Sequence, residues 1–528
     1  MPMATPDAPH PPSPPTYAVD TEPCIPTRTG RHHQSYGLRD LLLYAHDIED
    51  LALPLPPAAS ALLRVLTAIV ARITGLDDDE LSADEWNDQR RTLLQQDPGF
   101  DPDAIHAYFD RHIFDLFHPT RPFLQDPTLT RECPHTSGIN TLIFGRPAGN
   151  NLLWLSRHHD ADPQPAPTHE AFWHLLIHHY YGAAGQCTHR ATTPGHTSGT
   201  GSAGPLRSSV SFHPLGRTLF ETLLASIPKH TGTPHTAPDN CPWETDAPPD
   251  PKAPPAAVTW PGGLLTGRSR HALLLIPNHD GTQVTDAYIT WATQQPKLPA
   301  TDPYVITDTN PQAPITRRRT IRRADADRAW WRDLDGLVLA NDETSSFQRP
   351  PAFDTLNDLP PEVRSTLRVR VHGFDQDGKT QNRCWYTALT PPILPWSQEG
   401  DPDLAQHIAD CCRTAEHLGR ELTTAAARAW QATRGSDRAQ RLNRTCTWAV
   451  QSRATYWRRA EATFHRLLTT RNSAAIGPAF TADAIASLRD TTAPAVMQHR
   501  SAARAVAQAI GHLRKCHTPA TPGRHDAA

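Results

Sequence analysis

Two histidines four residues apart, His174 and His178, lie in AFWHLLIHHYYGAAG, a stretch that reads as a helix capped by Thr168 and ended near residues 182–185. That spacing presents two imidazoles to one ion. Position 175 is leucine, so the H-E-x-x-H general base is missing, and no acidic third ligand follows nearby. With His158, His159 and Asp160, these two histidines form the one set from which a metal-dependent hydrolase could be built, provided all converge in one pocket. Partly buried or solvated histidines are the plainer reading. The nine cysteines contain no C-x-x-C pair, and neither a nucleophile elbow nor a carboxylate-pair motif is present. No catalytic residue, metal or cofactor is expected.

A second kind of chemistry is recognition by loops. TSGINTLIFGRPAGNN, residues 136–151, runs from a β-prone segment at Leu142–Phe144 into Gly145-Arg146-Pro147-Ala148-Gly149-Asn150-Asn151. Pro147 and the two glycines stop any regular element. Arg146, Asn150 and Asn151 can donate to or accept from a polar partner. A plain hairpin turn is the alternative. Residues 192–204, TTPGHTSGTGSAG, are too polar to anchor themselves by burial and should be mobile until a partner orders them. The sequence lacks G-K-[ST] and a preceding apolar strand, so this is not a Walker loop. Arg317–Arg323, RRRTIRR, suits phosphates but reads more simply as a solvated face.

Elements must hold these loops in place. The 528 residues suffice for two to four domains. Residues 1–17 are Pro-rich and read as disordered, as does the tail 516–528, and residues 230–257 read as a second flexible insert beside 192–204. Pro56-Pro57 opens a helix whose Leu62, Val65, Leu66, Ile69, Val70 and Ile73 share one face and which Gly75 ends. HALLLIP and QVTDAYITWA flank Asp280-Gly281 as a β-hairpin. DADRAWWRDLDGLVLA reads as a helix, and strands at 367–371 and 384–386 flank a polar loop, GFDQDGKTQ. After Pro395 the chain turns Ala- and Arg-rich, with helices at 402–434, 437–470, 481–490 and 496–515. The fold expected is α+β: a large mixed α/β body over residues 18–395, then a C-terminal four-helix bundle over residues 402–515 that can bury its own apolar faces.

The formal net charge is −4, yet residues 404–515 carry 16 Arg and one Lys against seven Asp and Glu. A basic segment on an acidic body suits a polyanionic partner or a solvated helical surface. The cysteine pattern fits free thiols in a reducing cytoplasm, and no apolar run of about 18 residues points to a membrane span.

In order along the chain, FDLFHPTRPFLQ, TLIFGRPAGNN, a Gly-rich segment ending in PLR, SFHPLGRTLFETLL, GFDQDG before a Trp-Tyr strand, and four terminal helices resemble the CasA family, the large subunit of the type I-E CRISPR complex Cascade. The resemblance covers about residues 20–515. It implies a non-enzymatic cytoplasmic subunit that reads the protospacer-adjacent motif (PAM) in double-stranded target DNA, starts strand separation and recruits the CRISPR helicase-nuclease. Base pairing with the crRNA, held by the other Cascade subunits, reads the rest. The family's PAM-side loop matches Ile143, Phe144 and Gly145, with Arg146, Asn150 and Asn151 beside it. Its glycine loop matches Gly199, Thr200 and Gly201, where a side chain would obstruct a minor groove about 6 Å wide. Candidates for its wedge are Gln376, Lys379 and Gln381. The family's lysine finger has no lysine in register, leaving Arg268, Arg270 or Lys297. The two C-x-x-C pairs that hold zinc in some relatives are missing, so no zinc is implied. Other readings are the hydrolase above and a purely architectural ribonucleoprotein subunit.

Overall fold

The computed structural model describes residues 14–96, 99–148, 156–193, 196–232, 237–254, 257–294, 302–310, 312–314, 318–342, 345–434 and 441–516. Two compact units emerge: residues 1–328 with 342–394, and residues 329–341 with 395–528.

The first unit is built on the helix Pro56–Thr74. Proline at its first turn and Gly75 at φ 68° set its ends, and every residue from Pro57 to Ala71 is buried. Its bounds are those the sequence suggested, but against the expectation that no run could span a membrane it is long and apolar enough by length and composition to do so. Its middle argues for a core role instead. Arg64 is fully buried, with Nε and Nη2 on the two oxygens of Asp302 at 2.9 and 2.7 Å and Nη1 on Ser60 Oγ at 2.7 Å. Removing one partner of such a pair strands a buried charge. Arg64→Ala should therefore cost about 3–5 kcal/mol in urea unfolding, and apolar replacement of both partners should recover most of it.

Two antiparallel sheets carry the loops. One has the strand Arg368–Gln376 between Asn382–Leu389 and Val210–Leu215. The other has Gln283–Trp291 between Ala166–Pro167 and His271–Pro277, with the expected hairpin turning at Gly281, φ 75°. The helix Thr168–Tyr181 follows directly. Thr168 does not cap it; its hydroxyl donates to Gly281 O at 2.7 Å across to the hairpin turn.

Three local expectations are corrected. Leu142–Phe144 is not a strand, because the chain forms a helical turn, Ile139–Leu142. Residues 192–204 do not lie loose but contribute to a two-stranded hairpin, Gly185–Thr193 with His196–Gly201. The described part of the 230–257 insert is held by Arg72, whose guanidinium reaches Asp239 at 3.0 Å and Glu244 at 3.1 Å, with Trp243 and Cys241 buried beside them.

In the second unit, helices Pro402–Thr433, Thr447–Thr470, Ile476–Gln498 and Arg500–Leu513 pack together. The second starts ten residues later than the sequence suggested, and the third runs on through Pro494. The first two are antiparallel: Tyr456 OH donates to Ala415 O at 2.9 Å, and His407 Nε2 to Leu467 O at 3.1 Å. Residues 329–341 belong here too. They form two short turns, Trp330–Asp333 and Asp335–Val338, rather than one helix. The Trp331 ring stacks 4.7 Å from Phe464, and Arg332 lies over Trp457 while pairing with Glu416 at 2.8 Å. A chain ending before residue 402 would leave Trp331 without that cover.

Candidate nucleic-acid interface

Three loops of the first unit meet. The first begins at Thr136 and is fastened by one carboxylate: Asp286 accepts from Thr136 Oγ1 at 2.7 Å and from the Gly138 amide at 2.9 Å. Gly138 takes φ 85°, which its missing Cβ permits. Ile139, Leu142 and Ile143 then turn into the core. The two histidines that suggested a metal hold the far end. His174 Nδ1 accepts from the Phe144 amide at 3.1 Å, and His178 Nε2 donates to Leu142 O at 3.0 Å. The Phe144 ring lies 4.6 Å from His178 and 5.8 Å from Phe374. Burial pushes both histidine pKa values down to about 3, with the Arg146 charge adding to the effect at His174 and that of His271 at His178. Neutral and satisfied, they are the scaffold of a loop.

Gly145 emerges exposed at φ 95°. Arg146 does not: it is buried, its Nη1 donates to Gln164 O at 2.5 Å, and loss of hydration lowers its pKa. Read from sequence as a fork for a partner, Arg146 is instead spent on backbone carbonyls of its own unit. Asn150, Asn151 and Lys297 lie outside the described residues.

The second loop is the glycine hairpin. Trp291 Nε1 donates to Ser198 O at 2.9 Å, and Gln294 Nε2 donates to Ser198 Oγ at 2.5 Å. Arg190, buried in the opposite strand, pairs with Asp126 at 2.8 Å and Glu132 at 2.6 Å. Thr188 and Ser137 share a 2.6 Å hydroxyl contact that joins this hairpin to the first loop. The glycines differ in their surroundings. A Cβ on Gly199 would meet the His189 ring at 2.7 Å, whereas one on Gly201 would find nothing closer than Trp291 at 3.7 Å. Thr200 between them is exposed.

The third loop joins Gln376 to Asn382. Asp377 Oδ1 accepts from the Lys379 and Gln381 amides at 2.9 and 2.8 Å, closing a tight turn. Lys379 and Gln381 are exposed. Gln376 is not, which removes it from the wedge candidates. It is 4 % exposed, accepts from the Ser208 amide at 3.1 Å and donates to Asn382 Oδ1 at 2.7 Å. It lies two residues after buried Phe374, on the same face of the strand, and the register irregularity beside it leaves Arg383 of the neighbouring strand out of the pairing.

The loops converge at their bases. The Ala184 amide donates to Lys379 O at 2.9 Å; Gly185, next along, pairs with Gly201; and a Cβ on Gly185 would lie 3.7 Å from Thr380. Arg207 locks the junction by donating to Tyr181 O at 3.0 Å, Asp377 O at 3.2 Å and Gln381 O at 3.1 Å. The outcome is that the glycine hairpin, with exposed Thr200 and half-exposed Gly201, sits beside the turn bearing exposed Lys379 and Gln381. Arg268 and Arg270 are partly buried, line a 720 Å³ cleft that Arg207 and Arg323 also line, and have pKa values lowered by burial. Exposed Arg323, which was grouped with a solvated cluster, reaches within 3.8 Å of a Cβ on Gly378 at the third loop's tip. Its backbone bridge to Ser209 brings it there, and no local sequence signal marks it.

His158, His159 and Asp160 occupy a surface segment, with Asp160 accepting from Asn140 Nδ2 at 2.8 Å. With His174 and His178 sealed and already hydrogen-bonded, the five do not form an open metal pocket.

The sequence matches the family described as CRISPR-associated protein Cse1 over residues 20–498. It is 27 % identical over 424 residues to the CRISPR-associated protein CasA/Cse1 of Thermus thermophilus, covering 76 % of this chain and 75 % of that protein. A solved chain from a CRISPR RNA-guided surveillance complex is similar, with TM-score 0.84 and 37 % identity over 95 % of this chain and all of that one. The crystal structure of Thermobifida fusca Cse1 shares the fold, with TM-score 0.72 and 20 % identity over 95 % of this chain and 98 % of that one.

Proposed function

The chain belongs to the CRISPR-associated protein Cse1 family, and from that premise we propose that it is the DNA-recognition subunit of an RNA-guided type I-E surveillance complex. In this reading it binds the other Cascade subunits with their crRNA, reads the PAM in duplex DNA, starts strand separation and recruits the helicase-nuclease. It catalyses no bond cleavage itself. The observation that carries the reading is the meeting of the glycine hairpin and the Lys379 turn, through the Ala184–Lys379 hydrogen bond and the Gly185–Gly201 pair.

A flat, glycine-bearing edge suits a groove about 6 Å wide, because backbone amides and carbonyls can reach base edges that a side chain would block. Gly201, where a Cβ would make only ordinary contacts with Trp291 and Cys187, is the point of closest approach in this reading. Lys379 and Gln381, one turn away on a rigid hairpin, are placed to enter below the PAM as the wedge. Exposed Arg323 beside them is a second cation that can contact phosphate. The exposed arginines of the helical unit, among them Arg420, Arg453 and Arg500, supply a sequence-independent attraction to nucleic acid.

The charge-bearing part is tested on the assembled particle with the double variant Lys379→Glu, Arg323→Glu. Duplex affinity should fall, and the slope of log affinity against log salt should shrink by about 1–2, with particle assembly unchanged. Unaltered duplex binding and salt slope would remove this turn from the DNA path.

A further inference from the structure

Away from the recognition loops, the helical unit brings three different ligand types to one point. Glu421 lies on the helix Pro402–Thr433, His512 in the last turn of the helix Arg500–Leu513, and Cys516 three residues beyond that helix's end. His512 Nε2 is 2.7 Å from Glu421 Oε2, Cys516 Sγ is 3.5 Å from His512 Nε2, and Cys516 Sγ is 3.9 Å from Glu421 Oε2. Among the described residues this is the one trio of His, Cys, Asp or Glu side chains whose ligand atoms all lie within 4.8 Å of one another.

We propose that Glu421, His512 and Cys516 bind a zinc(II)-like divalent ion that ties the last helix of the bundle to the first. The separations fit. Tetrahedral zinc with bonds of about 2.0 Å to N and O and 2.3 Å to S sets its ligands roughly 3.3–3.6 Å apart. The two sulfur distances are already close to that, and the His512–Glu421 pair has only to open slightly as the ion replaces a proton. An imidazole, a thiolate and a carboxylate are the donor set of a borderline-soft ion, whereas magnesium and calcium take oxygen alone. All three side chains are half-buried, which leaves an entry path and a fourth position for water. His417, one turn before Glu421, is near enough for its charge to depress that carboxylate's pKa, after the larger effect of the His512 hydrogen bond. Binding releases the thiol proton to solvent, and the neutral imidazole of His512 ligates through Nε2 with its proton on Nδ1.

The site is separate from the zinc that two C-x-x-C pairs would hold, and its members are up to 95 residues apart in sequence. The test uses the full chain, purified without an oligohistidine tag, stripped with chelator and titrated with Co2+. A saturable near-ultraviolet thiolate-to-cobalt band with the visible bands of four-coordinate cobalt is expected, and Zn2+ should displace both. Cys516→Ser should abolish the thiolate band, and His512→Ala should weaken binding at least tenfold. Both variants should fold, since neither side chain lies in the core. Zn2+ should raise the thermal midpoint of the unaltered chain and not of Cys516→Ser. Absence of a saturable band, or a band that persists undiminished in Cys516→Ser, would overturn the proposal, the latter by assigning the thiolate to another of the nine cysteines.

Discussion

Acidification from about pH 7.5 to pH 5 should sharply lower the denaturant midpoint of this protein, because five histidines of its first unit, four buried and His179 half-buried, are held neutral. Burial pushes His174, His178 and His372 down to about 3 and His179 to about 4, with neighbouring positive charge adding to the effect at each, and drives His213 well below its ordinary range beside Arg64. In the unfolded chain each has a pKa of about 6.5. Above that value both states are neutral and nothing is lost. Below it the unfolded chain takes up protons that the folded chain refuses until about pH 3–4. Each histidine therefore removes roughly 1 kcal/mol of stability per pH unit across that window. Five together lose on the order of 5–10 kcal/mol by pH 5, comparable to the whole stability of many domains. Asp50 and Asp77, whose pKa values burial raises against the pull of their arginine partners, act in the opposite sense but only near the carboxylate range. Equilibrium unfolding at a series of pH values measures the slope. His372→Phe should reduce it by about one proton. A midpoint unchanged between pH 7.5 and 5 would mean that these rings are hydrated or charged in the folded protein. Because His174 and His178 hold Phe144 and Leu142, the recognition loop should loosen in the same window.

The scaffold was legible where the signal is local. Apolar periodicity and Gly75 give the helix Pro56–Thr74, and Asp280-Gly281 gives its hairpin. The candidate loops could be picked out in the sequence, but not how their side chains are anchored. Leu142–Phe144 is β-prone, yet Asp286, some 150 residues away, captures Thr136 and Gly138 and starts a helical turn instead. The glycine segment looks unanchored because its anchors, Trp291 and Gln294, come from the far end of another strand. Gln376 and Gln381 are alike in sequence; the first ends a strand on the buried face of Phe374 and the second lies in the exposed turn closed by Asp377. Arg146 is turned inward because the carbonyls of Gln164 and Pro165, outside its own loop, accept from its guanidinium. Glu421, His512 and Cys516 have no shared motif for the sequence to show.

The second large effect is expected at Gly201. Gly199 is a poor probe, since any Cβ there must displace the His189 ring and disturb the hairpin itself. Gly201 has no such constraint, so Gly201→Leu should fold and assemble normally while projecting a side chain from the surface proposed to meet the minor groove. A blocked approach should cost about tenfold or more in duplex affinity, the scale of losing a base-specific contact.

The most direct measurement compares the assembled particle with and without Gly201→Leu on three targets at one fixed salt concentration: duplex with the PAM, duplex without it, and a pre-opened PAM-free strand. The account predicts that the variant loses affinity for the PAM duplex down to the level of the PAM-free duplex, with pre-opened target bound as before. Equal loss on PAM duplex and pre-opened target, or full retention on both, would contradict it and take the glycine hairpin out of PAM recognition.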